Sequence, residues 1–131
     1  MEPATEAMLA MAGIEPGSRV LDLASGAGSQ TLQAARHVGP QGHVVGMDIA
    51  ETMLHHVREN ARAAGLTNVT TIAAAAEDLD VAAGSFDAAI CRLGLMLFAE
   101  PARALVAVRR ALRPGGKVAG VVFTTPGANS I

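Results

Sequence analysis

Apolar positions along this chain switch period repeatedly, from short continuous runs that read as buried strands to stripes spaced three and four apart that read as helices. Val20, Leu21 and Leu23 make the first run, and Thr31, Leu32, Ala35 and Val38 give a helix from about Gln30 to His37. Between them Ala24 to Ser29 is a stretch of small residues holding Gly26 and Gly28. His43 to Met47 reads as the second strand, and Thr52 to Ala64 as a helix with Met53, Val57, Ala61 and Ala64 on one face and Gly65 past its end. Val69 to Ala73 is the third strand, and Phe86 to Cys91, after a turn at Gly84 and Ser85, is the fourth. Pro101 opens a helix with a stripe of Leu105, Val108, Ala111 and Leu112; Arg113-Pro114-Gly115-Gly116 breaks it, and Val118 to Phe123 is the fifth strand. Ahead of all these, Pro3 to Ala12 reads as a short helix with Met8, Leu9 and Met11 on one side and Gly13 as its stop. The alanine run from Ala73 to Ala76 is read as small side chains lining a pocket, and Leu93 to Phe98 as an apolar loop or single helical turn.

Strands alternating with helices imply a parallel sheet joined by right-handed crossovers. The expected fold is α/β, a Rossmann-like doubly wound parallel sheet of order 3-2-1-4-5, in one domain spanning residues 1–131. In such sheets ligands bind beyond the carboxyl ends of the strands where the winding reverses, here between the first and fourth strands. That rule brings together the loop from Ala24 to Ser29, Asp48 after the second strand, and Cys91 with Arg92 after the fourth.

The glycine loop suits two kinds of adenine-containing cofactor. A dinucleotide fingerprint calls for a third small residue where this chain has Thr31. Asp22, just ahead of the loop, repels a pyrophosphate and favours a cation, so a sulfonium cofactor fits better. The competing role for Asp22 is to accept hydrogen bonds from loop amides. Asp48, about 20 positions past the loop, can accept from both hydroxyls of a ribose; its competing role is a helix-cap or turn acid.

Composition narrows the partners. A net charge of −2 gives no electrostatic footprint for nucleic acid or an anionic membrane. Cys91 is the only cysteine, which excludes an internal disulfide, provides no zinc site by itself and fits a cytoplasmic location. No apolar run approaches the roughly 18 residues of a membrane span. With three Phe and no Trp or Tyr, the core is aliphatic and few aromatic walls exist for a planar ligand.

The segments VLDLASGAG at Val20 to Gly28, VVGMDIAETML at Val44 to Leu54, AEDL at Ala76 to Leu79, SFDAAICR at Ser85 to Arg92 and RRALRPGGKV at Arg109 to Val118 resemble, in order and spacing, the class I S-adenosylmethionine-dependent methyltransferases. The resemblance is to the small-molecule branch that includes the ubiquinone and menaquinone biosynthesis methyltransferases. It implies that Asp22, Ala24, Ser25 and Gly26 surround the methionine part of S-adenosylmethionine, with Gly28 shaping the loop. It also implies that Asp48 holds the ribose, that Ile49 and Met53 pack beside the adenine, that the backbone at Ala76 and Glu77 meets its edge, and that the Cys91 carbonyl receives the ammonium. Ile49 and Met53 read equally well as ordinary core, and Cys91 as a small buried residue rather than a nucleophile.

Two departures from the family stand out. An acid commonly precedes AEDL, and here that position is Ala75. The usual C-terminal antiparallel hairpin is missing, so the chain is expected to be a fragment or a minimal domain with an exposed fifth strand through which it self-associates. The implied reaction is in-line transfer of a methyl group to a small-molecule acceptor, which needs positioning more than protein chemistry. No catalytic residue emerges: His55 and His56 are expected on a solvated helix face, His37 and His43 flank a remote turn, and Arg92 could steer an anionic acceptor or form an ordinary ion pair. The alternatives are an NAD(P)-binding oxidoreductase domain and a non-catalytic Rossmann-like partner module.

Overall fold

Strand β1 (Arg19–Leu23) is buried along all but its first residue, which places it at the centre of a sheet rather than at an edge. In the computed structural model, which describes residues 3–23, 28–92 and 100–121, it is the middle strand of five parallel strands. Their order is β3-β2-β1-β4-β5, as the alternating pattern predicts. Strand β2 (His43–Asp48) pairs on one side with Val20 opposite Val44; β4 (Phe86–Arg92) pairs on the other with Leu23 opposite Cys91. Strand β3 (Val69–Ala73) flanks β2, with Asp48 opposite Ala73.

Side chains alternate across the pleat and so divide between two apolar layers. Val20, Val44, Ala88 and Ile90 pack under helices α1 (Pro3–Met11) and α2 (Ser29–Val38), against Met8, Leu9, Ala34, Ala35 and Val38. Helix α3 (Glu51–Ala63) lies beside α2 over β2 and β3. Leu21, Leu23, Met47, Ala89 and Cys91 form the opposite layer, covered by helix α4 (Pro101–Ala111) through Ala104, Val108 and Ala111. A single 3-10 turn over Ala76–Asp78 leans on α4.

Three helical stripes differ from expectation by one position. Leu54, not Met53, is buried beside Val57 and Ala61, and Ala64 is exposed. Ala104 is buried in place of the expected Leu105, and Ala12 rather than Met11 continues the α1 face. A step of about 100° per residue leaves two adjacent candidates at each turn, and packing against the sheet selects between them. On α4 the smaller side chain, Ala104, takes the inward place in the layer it shares with Val108 and Ala111.

The Arg113 to Gly116 segment is also corrected. Strand β5 (Leu112–Val121) begins directly after α4, pairs Leu112 with Phe86, bulges, and resumes with Lys117 opposite Ala88. The bulge turns on Gly115 at φ 84°, and Gly116 leaves no room for a side chain: a Cβ there would sit 2.9 Å from the Arg113 carbonyl oxygen. The expected end of this strand at Phe123 and the Leu93 to Phe98 segment lie outside the described residues.

Candidate functional site

The carboxyl ends of β1, β2 and β4 lie side by side, because Leu23 pairs with Cys91 and Asp22 pairs with Gly46, two residues before Asp48. Asp22 is fully buried, on the α2 side of the sheet. Its Oδ1 accepts from Gln30 Nε2 and its Oδ2 from Thr31 Oγ1, both in the first turn of α2. Burial pushes the Asp22 carboxyl up to about 7; the Thr31 and Gln30 hydrogen bonds oppose that rise, and the negative charge of Asp48 adds to it. Among the described residues, then, the partners of Asp22 are side chains of the α2 helix.

Helix α2 can begin where it does because of Gly28. Its φ of 93° is closed to most side chains, and a Cβ on it would lie 2.8 Å from Cγ2 of Val57 on α3. The Gly28 carbonyl accepts from Leu32 N at 2.9 Å, which starts the helix. Ala24, Ser25 and Gly26 lie outside the described residues.

At the end of β2, Asp48 is half-buried and its Oδ1 accepts from Ala50 N at 2.9 Å, a turn that carries the chain into α3. The competing role as a turn acid is therefore met. Ile49 is 76% exposed and Met53 36% exposed, so neither is ordinary core. Two apolar side chains left in the open beside a carboxylate are what a flat apolar ligand face with a polar rim requires.

After β3, Ala74 N donates to the Asp48 carbonyl at 3.0 Å, which bends the alanine run back toward the β2 end. Ala76 is buried in the 3-10 turn, and Glu77 is half-buried with its Oε2 accepting from Glu100 N at 3.3 Å, at the start of α4. The Glu77 carboxylate thus receives the backbone at the entry to α4. Cys91 is buried within β4.

The histidines stand away from these strand ends. His37 Nε2 is 3.0 Å from the Ile14 carbonyl oxygen, and His43 Nε2 is 2.9 Å from Thr70 Oγ1 at the far end of the sheet. Burial, with the Arg19 charge beside it, holds the His43 imidazole below its ordinary range. His55 and His56 are exposed on α3, as expected. Among the described residues no group of His, Cys, Asp and Glu could hold a metal ion, and no helix is long and apolar enough to cross a membrane.

Sequence reasoning finds both acids but misses the pair that holds the first. Gln30 and Thr31 are readable as the residues one helical turn into α2 that face back over β1, whereas the glycine motif singles out Thr31 only as the residue that spoils a dinucleotide fingerprint.

A family model described as a methyltransferase domain matches residues 14–124. The ubiquinone/menaquinone biosynthesis C-methyltransferase UbiE of Yersinia enterocolitica is 41% identical over 115 residues, covering 87% of this chain and 46% of that protein. The chain therefore spans just under half the length of this curated relative. Among solved structures, an S-adenosylmethionine-dependent methyltransferase from Aquifex aeolicus superposes with a TM-score of 0.78 at 24% identity, over 86% of this chain and 63% of that one. The [4+2]-cyclase SpnF superposes at 0.81 with 28% identity, over 88% of this chain and 43% of that one.

Proposed function

Because the chain belongs to the methyltransferase domain family, we propose that it binds S-adenosylmethionine at the carboxyl ends of β1, β2 and β4 and presents its methyl group to a small-molecule acceptor. The observation that carries this reading is the pair Asp22 and Asp48, close enough that the charge of one raises the other, with exposed Ile49 and Met53 beside them. Two carboxylates at the adjacent carboxyl ends of β1 and β2 suit a cofactor that is cationic at its sulfonium and ammonium, and oppose the pyrophosphate of NAD(P).

Bound there, S-adenosylmethionine supplies a methyl group already activated by the sulfonium. The chain's residues position it. Asp48, set at the end of β2 by its bond from the Ala50 amide, holds the ribose, Ile49 and Met53 cover the adenine, and the backbone of Ala76 and Glu77 borders it. Asp22 gives negative charge under the methionine part, Ala24, Ser25, Gly26 and Gly28 let it approach the main chain, and the Cys91 carbonyl receives the ammonium. Holding donor and acceptor in line supplies much of the acceleration in such a transfer. The UbiE name, a C-methyltransferase of quinone biosynthesis, makes carbon acceptors the first to assay.

We place this activity in the cytoplasm, in keeping with a single cysteine. Self-association along β5, where Val118 is 39% exposed, belongs to the same proposal, and sedimentation against concentration tests it. Calorimetry of the chain with S-adenosylmethionine and with its demethylated product tests the core of the reading: saturable heat that NADH does not displace is expected. A folded chain giving no heat at millimolar cofactor overturns it.

A further inference from the structure

Asp22 receives one side-chain donor on each oxygen, Gln30 Nε2 on Oδ1 and Thr31 Oγ1 on Oδ2. Both donors are buried with it, Gln30 at 6% exposure and Thr31 at none. They stand in the first turn of α2, whose starting point Gly28 fixes by its left-handed φ and its contact with Val57. A buried network of this kind keeps its geometry, because turning any member away leaves a buried polar atom unpaired. We propose that Gln30 and Thr31 are positioning residues for the cofactor: by donating to both oxygens of Asp22 they hold its carboxylate in place and favour its ionised form. They thereby set the affinity for a cationic ligand at neutral pH.

The inference rests on the cofactor reading above. Its logic is a balance of charge. Burial drives the Asp22 carboxyl toward its neutral form, Asp48 pushes the same way, and no cation among the described residues acts on it. The two neutral donors are what opposes them, so removing either moves the carboxyl further toward the neutral form. A neutral Asp22 offers a sulfonium or ammonium no charge. The signature is therefore specific: weakening that is largest near neutral pH and disappears when alkali ionises Asp22 anyway.

The test uses the full chain. Thr31→Val removes the hydroxyl at nearly constant shape, Thr31→Ser restores it, and Gln30→Leu removes the other donor. Carboxyl-carbon NMR follows the titration of Asp22 without cofactor, and calorimetry with S-adenosylmethionine runs from pH 6 to 9. We expect the Asp22 midpoint to rise in Thr31→Val and Gln30→Leu and to return in Thr31→Ser. At pH 7 cofactor affinity should fall about tenfold in the first two, with the gap closing by pH 9. Comparing variants with wild type at each pH cancels the titration of the ligand. An unmoved Asp22 midpoint overturns the proposal, as does an affinity loss equal at every pH, the mark of a helix-packing role alone. A wild-type chain that binds no cofactor at any pH refutes the cofactor reading instead, and the NMR midpoints still decide whether the two donors govern the charge of Asp22.

Discussion

The two ends of the sheet each carry a partly or wholly buried aspartate, and the chain treats them in opposite ways. At the amino ends of the strands, Asp87 accepts from Arg19 N at 2.8 Å through Oδ2 and from Arg113 Nε through Oδ1. The Arg19 amide and the Arg113 and Arg19 charges hold its carboxyl below the usual range. At the carboxyl ends, Asp22 has neutral donors, a second acid nearby and a carboxyl pushed up to about 7. An acid neutralised by arginines has its charge already answered and serves to join β1, β4 and the bulge of β5. An acid with no cation acting on it among the described residues is left able to answer one. The far end of the sheet is built for stability, and the near end retains an electrostatic demand that, on the proposed reading, a cationic cofactor would meet.

The sharpest way to separate the ends is to overfill a glycine at each. At the far end, a Cβ on Gly42 would lie 2.5 Å from Cβ of Val38 and 2.7 Å from the Ser18 carbonyl oxygen. Gly28→Ala meets Val57 and also forces an alanine to a φ of 93°. Both substitutions should cost about 2–4 kcal/mol in urea unfolding, from overpacking and, at Gly28, from backbone strain. In whatever fraction stays folded, Gly28→Ala should also lose S-adenosylmethionine binding while Gly42→Ala keeps it. Equal binding in the two would erase the functional difference between the ends.

Next in size is Asp48→Ala, expected to weaken cofactor binding more than tenfold in calorimetry. Charge-assisted hydrogen bonds contribute roughly 1.5–3 kcal/mol each, and two are lost to the ribose. Stability should change less than binding: the turn into α3 loses the bond to Ala50 N, worth about 1 kcal/mol. Asp87→Asn should show the reverse: unaltered cofactor affinity and a loss of about 1–2 kcal/mol at pH 7. Because the folded carboxyl lies below its unfolded value of 3.8, Asp87 stabilises the chain above that pH. The contribution disappears as pH falls through the lower folded value, so the gap between wild type and Asp87→Asn should close in acid.

Much of this contrast is legible in the order of residues alone. Strand order, the glycine turn and the placing of Asp22 and Asp48 follow from apolar runs, small residues and loop positions, which are local features that fold rules convert directly into geometry. What stays hidden depends on contacts between segments distant in sequence. Ala104 and Leu105 are equally good periodic candidates, and only packing in the layer formed with Leu21, Leu23 and Ala89 chooses between them. The Arg113 to Gly116 segment reads as a helix break followed by a strand; that it is a bulge within β5 depends on Asp87 and Gly116 meeting across β4. At the site, Asp22 is visible as an acid, but its neutral partners come from the next helix, and residue type alone does not reveal that a glutamine and a threonine close over a carboxylate.

The smallest expected effect probes Asp22 itself. Its unfolded value is 3.8 and its folded value about 7, so between those limits the unfolded chain is ionised and the folded one holds a proton. The stability linked to that proton is complete below 3.8 and is lost as pH rises through 7. Asp22→Asn has no proton to lose, so its unfolding free energy relative to wild type should climb from pH 4 to a plateau near pH 8. There the cofactor-free variant should exceed wild type by about 1–2 kcal/mol, because an uncharged amide costs less to bury than a carboxylate. Gln30 can turn its amide to accept, and Thr31 can accept through its hydroxyl, so the new side chain need not lose its partners. The same variant should bind S-adenosylmethionine more weakly at pH 8, leaving a domain that is sturdier without its cofactor and poorer with it. Paired urea unfolding and calorimetry from pH 4 to 8 read both quantities. If Asp22→Asn is less stable than wild type at pH 8, the charge at the end of β1 supports the fold as Asp87 does, and the two ends of the sheet are alike.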